Sequence, residues 1–142
     1  MTAITYLEHV KSRRLLVQEA QREVVEARAD NYSIRSASGP GGGSGMHKDL
    51  SNLYIRLEER EETAVRLLVT LRNEQAEARE KILALPDDIE KAVLLEHYIS
   101  GLDWRTIARH AKTGLRNIYR IHREAISHFE ELHHDFLENK DW

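Results

Sequence analysis

Residues 102–129 read LDWRTIARHAKTGLRNIYRIHREAISHF, and this stretch decides how the rest of the chain is organised. Asp103 is placed to cap a short helix from Trp104 to about Ala111, because a carboxylate can accept the unpaired N–H groups of a first turn. Thr113-Gly114 supplies a turn. A long helix then begins near Leu115, with Ile118, Ile121, Ala125, Phe129 and Leu132 returning at helical steps. Ile107 and Ala108 face inward from the short helix, and the small Ala108 lets the two helices cross closely. Between Trp104 and Arg123 stand Arg105, Arg109, Lys112, Arg116, Arg120 and Arg123, with no Asp or Glu among them.

Upstream, Ile89, Val93, Leu94, Tyr98 and Ile99 mark a supporting helix. Pro86 precedes it, Asp87 or Asp88 serves as its cap, and Ser100-Gly101 stops it. A supporting helix, a short helix, a tight turn and a long helix together form a helix-turn-helix pattern. In such a pattern the exposed residues of the long helix's first turns reach base edges in a DNA major groove. Arg116, Asn117 and Arg120 are the expected base readers, since Arg pairs with guanine and Asn with adenine. Arg105, Arg109, Lys112, Tyr119 and Arg123 are the expected phosphate contacts. Trp104 is expected to pack between helices, and His122 to be packed or phosphate-facing rather than catalytic.

The preceding two thirds of the chain have a different texture. Ala3, Val10, Val17 and Val24 repeat every seven residues from about Ala3 to Ala29, with Tyr6, Ala20 and Ala27 on the companion row and Arg13 interrupting it. A second helix is expected from about His47 to Leu85, on Leu50, Leu57, Ala64, Leu71, Ala78 and Leu85. The Gly-, Ser- and Pro-rich stretch between them, about residues 30–46, is expected as a loop. The two helices are expected to form a coiled-coil-like hairpin within one protomer or to pair between subunits, with a leftover apolar stripe that drives self-association. The fold expected is therefore all-α: residues 1–85 a helical oligomerisation module, and residues 86–142 a helix-turn-helix.

Segment 89–129 resembles region four of bacterial sigma factors and, more closely, phage-encoded transcriptional regulators of the ArpU and RinA type. Leu94, Tyr98, Gly101, Trp104, Ile107, Ala108, Ile118, Tyr119, His122 and Ala125 carry the resemblance. Gly114 stands where such helices start with Ser or Thr, and Thr106 where they carry Glu. The resemblance implies a sequence-specific binder of double-stranded DNA, a phage or prophage activator of late genes with RNA polymerase as a further partner. Other readings of the same layout are a DNA-packaging protein of the small-terminase kind, or a coiled-coil interaction module that binds no DNA.

Composition narrows the alternatives. The 142 residues carry a net charge of −3 and include no cysteine, so disulfides and thiolate metal sites are excluded. No apolar run reaches the ~20 residues of a membrane span, and the cytoplasm of a bacterial host cell is the expected location. The net charge hides an uneven distribution, with Glu58, Glu59, Glu61 and Glu62 clustered far from the basic stretch. Eight histidines raise the question of a metal, notably His128, His133 and His134 near Glu130, Glu131 and Asp135, but no spacing supplies three converging ligands. The GPGGGSG stretch lacks the Gly-Lys-Ser/Thr ending of a phosphate-binding loop. No cofactor, no metal and no enzymatic activity are expected.

Overall fold

A computed structural model describes residues 1–37 and 44–142, and the side chains of residues 1–33 and 48–142. All regular structure among the described residues is helical: α1 (Ala3–Ala37), α2 (Ser44–Leu83), α3 (Asp88–Leu94), α4 (Trp104–His110), α5 (Leu115–Leu132) and α6 (His134–Asn139). Helix α1 does not stop near Ala29, as the loop expected at 30–46 requires. Residues 30–37 contain neither Gly nor Pro, so extending an established helix through them costs only tenths of a kcal/mol per residue. The central part of the expected loop, residues 38–43, lies outside the described residues.

The chain divides into two compact units, Met1–Arg13 with Arg72–Trp142, and Arg14–Leu71. In the first, α1 and α2 run antiparallel: Arg13 donates two 3.2 Å hydrogen bonds to the Glu74 carboxylate, and the Tyr6 hydroxyl donates to Glu77 Oε1 at 3.0 Å. The interruption that Arg13 makes in the companion row is thus matched by a carboxylate on the facing helix. Ala3, Tyr6, Leu7 and Val10 share one core with Ala78, Ile82, Leu85, Leu94, Tyr98, Ile99, Ala125, Phe129 and Leu137. The Tyr6 ring stacks on Phe129, centroids 6.2 Å apart, and meets the Phe136 ring edge-on at 5.3 Å. His133, also buried, donates from Nε2 to the Lys81 carbonyl at 2.7 Å. The C-terminal helices therefore share their core with the ends of both long helices, so this packing unit reaches beyond a boundary at Pro86.

Asp87 is the cap of α3, accepting from the N–H groups of Ile89 and Glu90 at 2.9 and 3.0 Å. Helix α3 then widens into a single π turn, Leu95–Ile99, where the Ser100 N–H reaches the Leu95 carbonyl at 3.0 Å. Three consecutive residues, His97, Tyr98 and Ile99, are buried in that turn. Gly101 ends the turn at φ 71°, a left-handed conformation that suits glycine.

In the second unit, Arg14–Leu71, Arg28 of α1 pairs with Glu61 of α2 at 2.9 Å. Val17, Ala20, Val24, Ala27 and Leu71 are buried. Leu53, Leu57, Ala64, Leu67 and Leu68 are only half-buried, and Leu15, Leu16, Val25, Ile55, Val65 and Val69 are exposed.

Candidate nucleic-acid interface

Helix α4 begins where the Asp103 carboxylate accepts from the Thr106 N–H at 2.7 Å. That bond, with a second from the Thr106 side chain, holds the Asp103 carboxyl below the usual range. The helix closes on the bonds Ala111 N to Ile107 O and Lys112 N to Arg109 O, at 3.0 and 3.1 Å. Lys112 turns the chain at φ 53°, an uncommon left-handed conformation for a side chain with a Cβ. Helix α5 starts at Leu115 with extended Gly114 as its cap residue and no side-chain cap bond. A Cβ at Gly114 would meet nothing within 4 Å, so a Ser or Thr fits there as well.

Val93, Ile107, Ala108, Ile118 and Ile121 form the core beneath these helices, with Leu102, Trp104 and Leu115 at its margin. Trp104 packs as expected. Its ring stacks on His97 at 3.8 Å, lies edge-on to His122 at 4.7 Å and touches Tyr119 at 5.7 Å. His97 is held from both sides. Its Nδ1–H donates to the Leu102 carbonyl at 3.1 Å, and its Nε2 accepts from Lys11 Nζ of α1 at 3.1 Å. Burial pushes His97 below its ordinary pKa and pushes His122 down to about 4. His122 Nε2 lies 2.7 Å from the Tyr98 hydroxyl. His122 is thus a packed, neutral ring.

All six basic residues of the acid-free stretch, Arg105, Arg109, Lys112, Arg116, Arg120 and Arg123, are exposed, while Ile107, Ala108, Ile118 and Ile121 between them are buried. Tyr119 is also exposed, edge-on to Trp104. The three expected base readers differ. Arg116 and Arg120 stand exposed one turn apart on α5. Asn117 is half-buried, its Nδ2 donating to Thr113 Oγ1 at 3.0 Å and its Oδ1 accepting from Arg120 Nε and Nη2 at 3.1 and 2.8 Å. Arg120 Nη1 also donates to Glu124 at 2.9 Å. Arg109 donates to Thr106 Oγ1 at 3.3 Å.

Sequence reasoning passed over Glu124, which falls one residue beyond the acid-free stretch, although its place four residues after Arg120 is the ordinary spacing of a helical ion pair. It also passed over Lys11 and His97, for which no local signal exists, because their meeting depends on how α1 packs.

Two apolar positions differ from expectation. Leu132 and Ile89 are exposed, at 52% and 56%, because the core runs along Ile118, Ile121, Ala125 and Phe129 and turns inward to Leu137 of α6. The clustered histidines point to separate partners: His128 lies 2.8 Å from Glu90, His133 donates to Lys81 O, and His134 lies 3.6 Å from Glu138. Among the described residues, no three His, Asp or Glu side chains converge as metal ligands, and no helix is long and apolar enough to cross a membrane. No family model, curated protein or solved structure matches the chain.

Proposed function

We propose that this protein is a sequence-specific binder of double-stranded DNA that regulates transcription through a sigma-region-four-like helix-turn-helix made of α4, the turn at 111–114 and α5. The observation that carries the reading is the uninterrupted exposure of six cations over two crossing helices whose apolar faces are buried. A local stripe of this kind, rather than the net charge, governs attraction to phosphates. Arg116 and Arg120 reach base edges, with Asn117 bracing Arg120 from the side. Arg105, Arg109, Lys112, Tyr119 and Arg123 meet the backbone.

A phage or prophage origin, late-gene activation, RNA polymerase as a partner and a bacterial cytoplasmic location follow from the resemblance of segment 89–129. Unit Arg14–Leu71, with its row of exposed Leu, Val and Ile side chains, is the proposed self-association surface. A dimer would set two α5 helices into successive major grooves about 34–36 Å apart. Leu71 is not part of that surface, being buried within the protomer.

The test is binding of the full chain to a random-sequence duplex, and to duplexes enriched from a random pool, at about 50 and 200 mM salt. Affinity falls steeply with salt. Alanine at Arg105, Arg109, Lys112 or Arg123 lowers the slope by about one, and Arg116→Ala relaxes preference at one base pair. Salt-independent binding, or no binding at the lower salt, overturns the reading.

A further inference from the structure

Arg120 is set apart from the other two arginines on the outer face of α5. No acidic residue stands three or four positions from Arg116 or Arg123 in the sequence, whereas Glu124 lies four positions from Arg120 and accepts from its Nη1 at 2.9 Å. On the other flank, Asn117 Oδ1 takes both Nε and Nη2, and Thr113 Oγ1 fixes the Asn117 amide. A guanidinium offers five N–H donors in one plane. Its Nε/Nη2 edge is already filled by Asn117, so an incoming acceptor is left with the donors of Nη1 and Nη2, beside the Glu124 carboxylate.

The charge of that acceptor then decides what Arg120 can hold. A phosphate brought to the Nη1/Nη2 end would place a second anion beside Glu124 on one guanidinium. The guanine edge offers neutral O6 and N7 acceptors and meets no such repulsion. Resting on the DNA reading above, we propose that Glu124 is a specificity-determining residue: it steers Arg120 away from phosphates and towards a base edge, while Asn117 sets the plane of the guanidinium. The two act as positioning residues and need not touch DNA themselves.

The experiment compares wild type, Glu124→Gln, Arg120→Ala and the double variant in the full chain. The probes are a random-sequence duplex and a site enriched from a random pool by the wild type. Glu124→Gln is expected to tighten random-duplex binding by about three- to tenfold and to steepen its salt slope by about one. Binding to the enriched site is expected to change less, so the ratio between the two DNAs falls. In the Arg120→Ala background the same substitution is expected to gain clearly less, because only the general loss of one negative charge near the phosphates remains. Asn117→Ala is expected to weaken preference at a single base pair without steepening the slope. An equal gain on both DNAs, a gain undiminished by the loss of Arg120, or no gain at all overturns the assignment while leaving DNA binding intact. Absence of salt-dependent binding by the wild type overturns the DNA reading itself, and the role of Glu124 with it.

Discussion

The unit formed by Met1–Arg13 with Arg72–Trp142 and the unit formed by Arg14–Leu71 draw on the same two long helices and the same seven-residue spacing, yet they bury side chains to different depths. Ala3, Tyr6, Val10, Ala78 and Leu85 are at most 1% exposed, because α3, α5 and α6 cover them as a further layer. Leu50, Leu57 and Ala64, on the same row of α2, remain half-buried. A heptad spacing reports which row of a helix turns towards its neighbour. It carries no information on how many layers lie over that row. The two helices alone bury Val17, Ala20, Val24, Ala27 and Leu71 and leave Val25, Val65 and Val69 exposed.

The largest expected effect is also the one most able to break this comparison. Phe129→Ala empties a fully buried site beside Tyr6 and should cost about 3–5 kcal/mol in urea unfolding. Leu57→Ala, at a half-buried position with room to relax, should cost about 1 kcal/mol. Equal losses would mean that the two units are packed to the same depth.

A second effect sharpens the comparison through pH. His122 is pushed down to about 4, chiefly by burial, from an ordinary value of 6.5. A base with a depressed folded pKa contributes its full stability above the unfolded value, and that contribution is lost as pH falls from about 6.5 towards 4, where only the unfolded chain gains the proton. His97 shifts in the same direction. His122→Gln keeps an acceptor for the Tyr98 hydroxyl and should lose less stability than wild type between pH 7.5 and 5. A pH profile identical to wild type would show that His122 is not held neutral by its surroundings.

The smallest effect separates folding from binding within one turn. Lys112 sits at φ 53°. Lys112→Gly should raise stability by about 1 kcal/mol by relieving that conformation. It should also weaken binding to random duplex, because one cation of the exposed stripe is gone. A stability gain with undiminished DNA affinity would remove Lys112 from the proposed interface.

Much of the C-terminal layout was legible along the chain. Asp87 and Asp103 cap the helices their positions suggest, Gly101 takes the left-handed conformation, and Trp104 packs among rings. Each of these depends on groups within a few residues, or on the strong preference of one side chain. The π turn at Leu95–Ile99 was not legible, because nothing in LEHYI departs from ordinary helical sequence. It arises where one helix must face two cores, His97 towards Trp104 and Tyr98 towards Phe129 and Leu137. The exposure of Leu132 was hidden for a related reason. Periodicity continues the apolar row of α5, but α6 folds back and delivers Leu137 instead.

By itself, the sequence determined that the chain is helical, where most helices begin and end, and that six cations would share a stretch free of acids. Those are properties of near neighbours: cap spacing, turn residues and the 3.6-residue period. Only the tertiary structure decided that the ends of α1 and α2 belong to the same core as α3, α5 and α6. It also decided that Lys11 would hold His97. These outcomes depend on packing between segments as much as 136 residues apart in the chain, and close-packed interiors select them by shape and volume, which no local pattern records.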